Sequence, residues 1–175
     1  MTEHQHPRRT AEQPVEPSTA PAPQDTAPTE AGVTASIDIA AAPEEVFAYL
    51  VTVKGMLAWM GQHAVLDPTP GGEFSVDIDG VPVRGRYLVV DPPHQVVVSW
   101  GHAGSTDLPA GQSQVSFTLT PHEDGTRMVV HHTGLPTHYL DGHQRGWDHF
   151  LARLRLAGAG HDPGPDPWFP GEQER

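Results

Sequence analysis

The chain has 175 residues, 37% of them hydrophobic, no cysteine, and 22 Asp plus Glu against 10 Lys plus Arg, for a formal net charge of -12. That negative surplus works against phosphate backbones and anionic lipid, so neither nucleic acid nor a membrane surface is expected as partner. The lack of cysteine removes disulfides, zinc-thiolate sites and thiol catalysis.

No apolar run approaches the roughly 20 residues that cross a bilayer, and the amino terminus has no apolar signal core, so a cytoplasmic location is expected. Residues 1-32 are dense in Pro, Ala, Thr, Glu and Gln and hold one large aliphatic residue, Val15. Such a segment buries too little apolar surface to offset its ordering entropy and reads as a disordered tail. The domain is expected over 33-160, followed by a second, Pro/Gly-rich tail over 161-175 in which Trp168 and Phe169 could clip onto the domain.

Within the domain, "TASIDIA" alternates as a first strand over Thr34 to Ile39. Next, "APEEVFAYLV" opens a helix with Pro43 at its start, acids Glu44 and Glu45 in its first turn, and Val46, Phe47 and Leu50 on its buried face. "KGMLAWM" makes a second short helical piece carrying Met56, Leu57, Trp59 and Met60. Strands are then predicted over His63 to Leu66, Glu73 to Ile78, Val83 to Val90, Gln95 to Trp100, Gln112 to Thr120 and Thr126 to Thr133, separated by the turn signals "DPTPGG", "DG", "DPPH" and "EDG". A long helix closes the domain from Thr137 to Ala157, with Leu140, Trp147, Leu151 and Leu154 on one face.

No helix separates the later strands, so parallel crossovers are unavailable and the class is α+β with an antiparallel meander. Alternation puts Phe74, Val76, Ile78, Val96, Val98, Trp100, Val115, Phe117, Leu119, Met128, Val130 and His132 on one face of the sheet. The final helix, about 31 Å long, is the one element able to cover that face.

The order and spacing of "IDIAAAPEEVFAYL", "LAWM", "PGGEF", "VRGRYLVVDPPHQVVVSW", "LPAGQSQVSFTLTPHEDGTRMVVHHTGLP" and "GWDHFLARL" resemble the START-like, or SRPBCC, superfamily. Within it they resemble the subfamily named after the C-terminal domain of the Aha-type activator of the heat-shock chaperone ATPase. The resemblance implies a helix-grip fold: a curved antiparallel sheet of about seven strands around a long C-terminal helix, with an internal hydrophobic cavity between them.

Twelve histidines raise the question of a metal site. Helical geometry sets His138 and His149 about 16 Å apart along the axis, with His143 pointing roughly 140° from His138. His131 and His132, sequential on a strand, face opposite sides of the sheet. Neither metal nor cofactor is expected, and most histidines read as solvated. His132 is the exception, either a satisfied core histidine or a polar contact to a ligand. "GQSQV" lacks the second glycine of a nucleophile elbow, so Ser113 is not read as a nucleophile. "GGEF" and "GHAGSTD" have no phosphate-loop lysine. Arg84 and Arg86 share a strand face and are expected to pair with Glu73, Asp77 or Asp79.

No catalytic set emerges. The expected function is binding of a hydrophobic small molecule, polycyclic aromatic or polyketide-like, in a setting such as natural-product biosynthesis, sequestration or self-resistance. The expected cavity lining is Trp59, Phe74, Val76, Trp100, Val115, Phe117, Met128, Val130, His132, Trp147, Leu151 and Leu154. The alternatives are a polyketide cyclase or aromatase using His132 as proton shuttle, and a module that stimulates a chaperone ATPase. The large aromatics Trp59, Trp100 and Trp147 fit packed core as well as a cavity wall.

Overall fold

The computed structural model describes residues 32-168. Seven strands, β1 (Gly32–Ile39), β2 (His63–Leu66), β3 (Glu73–Ile78), β4 (Val81–Asp91), β5 (Gln95–Trp100), β6 (Ser113–His122) and β7 (Gly125–Thr133), form one sheet in the order β1-β7-β6-β5-β4-β3-β2. Every neighbouring pair is antiparallel. Helices α1 (Pro43–Val51) and α2 (Val53–Leu57) carry the chain from one sheet edge to the other, and a 3-10 turn (Thr137–Tyr139) leads into α3 (Leu140–Gly158). This is the α+β helix-grip architecture expected for a START-like protein.

Local chemistry explains the boundaries. At α1, Glu45 Oε2 accepts from the Ala42 N–H at 3.0 Å, the carboxylate half of a capping box, beside Pro43 at the first helical position. At α2, the Thr52 hydroxyl accepts from the Gly55 N–H at 3.0 Å. The helix stops at Leu57, so Trp59 and Met60 lie just past it, before Gly61 turns the chain with a φ of 85°. The first turn of the last helix is tighter than predicted: the Leu140 N–H bonds to Thr137, a 3-10 spacing, and α-helical geometry begins at Leu140.

β4 joins the two halves of the sheet. Its first half pairs with β3 and its second half with β5, with a register shift between Tyr87 and Val89. A Cβ at Gly85 would collide with the Ser99 carbonyl, so glycine permits the close approach at this bend. The core lies between the concave face and α3, where Val96, Val98, Val115, Phe117, Met128 and Val130 meet Leu151 and Leu154. At the C-terminal end of α3, Tyr49 donates its hydroxyl to the Ala157 carbonyl at 3.0 Å, tying α1 to the helix.

The predicted N-terminal tail lies outside the described residues except for Gly32, which opens β1 opposite Thr133. At the other end, residues 161-168 return along α3. Arg153 donates to the Gly164 carbonyl at 2.9 Å, His149 Nε2 lies 2.7 Å from Asp166 Oδ1, and Trp168 stacks on His149 at 5.0 Å. Phe169 lies outside the described residues.

Candidate functional site

Among the described residues, most of the inner face is filled by side chains. They interdigitate there: Trp59, Phe74, Val76, Val115, Phe117, Met128, Val130, His132, Leu151 and Leu154 are each 2% exposed or less. Space remains at the N-terminal half of the helix, where Gly142 and Gly146 present no side chain. There a half-open pocket of about 90 Å³ lies between Trp147, Phe150 and His143 of α3, His138 and Tyr139 of the preceding turn, Trp100 and His102 at the end of β5, the β3–β4 turn, Met60 and Trp168. Of the twelve expected lining residues, Trp100 and Trp147 form its wall, nine others lie in the packed apolar core, and His132 is buried beside it.

The aromatic wall is continuous with that core. Trp100 and Trp147 lie 5.4 Å apart between ring centroids, and Phe117 meets Trp147 edge-on at 5.6 Å. On the outer side Trp168 packs on Phe150 at 5.7 Å, so the returning C-terminal segment supplies one wall. Among the described residues no Lys or Arg lines the pocket. Arg84 bonds Asp77 at 2.7 Å, as its strand neighbours suggested, and Arg86 donates to the Gly71 carbonyl.

His132 is fully buried, with both ring nitrogens occupied. An indole nitrogen can only donate, so the 3.1 Å contact from Trp147 Nε1 makes His132 Nδ1 the acceptor. The proton therefore sits on Nε2 and is donated to Ser113 Oγ at 2.8 Å, while the Ser113 hydroxyl donates to the Trp100 carbonyl at 2.9 Å. A serine–histidine contact is present, but its polarity is opposite to that of a nucleophile and its base: Nε2, which faces the serine, carries the proton, and the lone pair on Nδ1 is taken by Trp147. Burial, reinforced by His143, His102 and His131, holds His132 well below the usual histidine range.

The pocket histidine is His143, half-buried, which the helical wheel had turned away from His138. Its Nδ1 lies 3.0 Å from the Tyr139 carbonyl, which can only accept, so Nδ1 carries the proton and Nε2 the lone pair. His102 stacks on it at 5.9 Å and His132 meets it edge-on at 5.1 Å. Burial pushes His143 down to about 4, against the raising effect of the Tyr139 carbonyl and with a further lowering by His102. The spacing of the apolar stripe held the signal for this residue. The seven-residue gap from Leu140 to Trp147 passes over position 143, which lies on the same ridge.

His131 points the other way, to Thr34 Oγ1 at 2.9 Å. His149 bonds Asp166 in the C-terminal segment, and His138 stands exposed at the pocket mouth. Among the described residues no three His, Asp or Glu side chains converge as metal ligands, and no helix is long and apolar enough to cross a membrane.

Residues 40-157 match the family model described as Activator of Hsp90 ATPase homolog 1-like protein. Among solved structures, an AHSA1-like protein from Rhizobium etli is 38% identical over 80% of this chain and 89% of its own, with a TM-score of 0.65. DynU16, from the dynemicin biosynthetic locus, is 24% identical over 75% of this chain and 48% of its own, also at 0.65. An HSP90 activator from Plasmodium falciparum is 21% identical over 72% of this chain and 94% of its own, at 0.59. The last two share the fold alone. No curated protein matches. The matched span and the Rhizobium relative together place this chain in the Activator of Hsp90 ATPase homolog 1-like family of the START-like superfamily.

Proposed function

We propose that the chain binds a neutral, apolar molecule through one aromatic ring inserted at the N-terminal end of α3, and releases it unchanged. One observation carries this reading: the pocket is walled by Trp100, Trp147, Phe150 and Trp168 and, among the described residues, no Lys or Arg lines it, while burial holds its inner histidine, His143, down to about 4. Such a wall supplies apolar area and offset stacking but no counter-charge for an anion. A volume of about 90 Å³ is small beside the roughly 300–1,000 Å³ of drug-sized sites. A polycyclic or polyketide-like ligand would thus place one ring inside and extend past His138 into solvent. The DynU16 relative comes from a natural-product locus, a setting in which such molecules occur.

Turnover by acid and base needs a positioned pair with suitable basicity. His132 is locked between Trp147 and Ser113 and His143 is a weak base, which counts against either of them as the proton shuttle of a cyclase. Stimulation of a chaperone ATPase rests on the family description and on the Plasmodium relative, and a shared fold does not select between the two roles. Titration with a panel of one- to three-ring aromatics, read by tryptophan fluorescence and followed by product analysis, tests the proposal. Saturable binding with the compound recovered intact is expected. A chemically altered product would overturn the binding-only reading, and stimulation of Hsp90 ATPase with no ligand bound would favour the activator.

A further inference from the structure

The segment that returns from α3 to the pocket is held there by side chains. Gly160, with a φ of 84°, ends the helix, and the His161 N–H bonds back to the Leu156 carbonyl at 2.9 Å. Beyond His161, among the described residues, no backbone–backbone hydrogen bond ties the segment to the domain. One row of α3 receives it instead: Gly146, His149, Phe150 and Arg153, at the three- and four-residue spacings that share a helix face. Arg153 holds the Gly164 carbonyl at 2.9 Å, His149 Nε2 meets Asp166 Oδ1 at 2.7 Å, and the Trp168 ring lies over Gly146, His149 and Phe150.

Asp166 is the centre of this attachment. Its Oδ1 also accepts the Trp168 N–H at 3.0 Å, so one carboxylate oxygen joins the helix to the backbone of the pocket's outer wall. The Asp166 side chain is only 10% exposed, yet its Oδ2 has no hydrogen-bond partner, and Arg153 Nε stands 3.9 Å away, beyond hydrogen-bond reach. A buried carboxylate satisfied on one side only lowers the cost of leaving the closed arrangement. Arg153 Nε bonds the Trp59 carbonyl at 3.3 Å, a contact that survives when the segment lifts. Of the four aromatic walls, Trp100, Trp147 and Phe150 belong to the buried core, and Trp168 alone rides on a segment with few bonds, the kind that opens locally at small cost.

We infer that Asp166, through His149 and the Trp168 backbone, is a positioning residue that sets Trp168 against a ring inserted in the pocket, and that the guest leaves as this latch opens. This inference rests on the binding function proposed above and adds how the guest is retained. Trp168 touches the guest, whereas Asp166 acts only through Trp168, so the two losses do not add.

The test uses 9-fluorenol, a neutral three-ring alcohol, with the full chain and with Trp168→Ala, Asp166→Ala and the double variant. Trp168→Ala should weaken binding about tenfold, the upper end of what one aromatic pair contributes. Asp166→Ala should weaken it about three- to tenfold through faster dissociation, with the urea midpoint nearly unchanged, and the double variant should bind like Trp168→Ala. Losses that add, or an Asp166→Ala chain that binds and releases 9-fluorenol as the unmodified chain does, would overturn the inference while leaving the binding function standing. No binding by the unmodified chain would overturn both. A reading on the unmodified protein does not depend on any variant folding: ¹⁵N relaxation dispersion at the Trp168 indole should be present without guest and suppressed at saturation. A flat profile in the guest-free chain would overturn the latch.

Discussion

His143→Gln should flatten the acid side of the stability profile. Folding holds the histidine at about 4, against about 6.5 in the unfolded chain. Between those two values the unfolded chain binds a proton that the native state does not, so stability falls as pH falls. The loss begins near pH 6.5 and is complete below pH 4, where it reaches about 3 kcal/mol; from pH 7 to pH 5 it is roughly 2 kcal/mol. Burial is the main effect that disfavours its charged form and His102 adds to it, while the Tyr139 carbonyl favours protonation. His132 adds to the acid sensitivity in the same direction and is present in both proteins. Urea denaturation at half-unit steps from pH 7 to pH 5 is the assay. Stability of the unmodified chain should drop by about 2 kcal/mol more than that of the variant over this range. Parallel profiles would show that His143 titrates normally and that the pocket is wetter than its geometry implies.

Trp147→Phe keeps an aromatic ring on the helix but removes the donor to His132 Nδ1, and should cost about 1–3 kcal/mol in urea melts. Ser113→Ala strands the Nε2 proton of the same histidine at similar cost, and the double variant should lose less than the sum because both act through one ring. Gly146→Ala should raise stability by about 0.5–1 kcal/mol by thermal melt. It removes a glycine from a helix interior, and the added Cβ meets Trp168 at an ordinary 3.5 Å. Trp168→Ala should leave the urea midpoint nearly unchanged while increasing acrylamide quenching of the remaining indoles, since its ring forms the outer wall of the pocket.

The strands were legible because one face of each is apolar and the turns carry Gly, Asp and Pro. Phe74, Val76 and Ile78, or Met128, Val130 and His132, stand on the buried face that alternation assigns them. The long helix was legible from the same kind of stripe. The extent of the cavity was not, because packing beneath α3 depends on how tightly the sheet curls, and alternation states only which side a residue faces. Phe117 and Leu154 have the same sequence signature whether they line a void or fill it. The helical wheel turns His143 away from His138, and its pocket-facing place follows from its position between Leu140 and Trp147 on one ridge. His102 and Trp168 reach the pocket from a loop and from the C-terminal segment, and no periodic pattern links them to it.

The division of α3 into a packed half and a pocket-forming half has an evolutionary consequence. Leu151, Leu154 and Ala157 secure the fold, whereas Gly142, His143 and Gly146 line the pocket, at least one turn away from those anchors. Substitutions that alter recognition can therefore accumulate along the first two turns without disturbing the anchor. Gly142 is the most permissive of these positions, because a Cβ built there meets nothing within 4 Å. A duplicated copy of this chain could diverge to accept a new molecule by single steps at that site, each step leaving a protein that still folds.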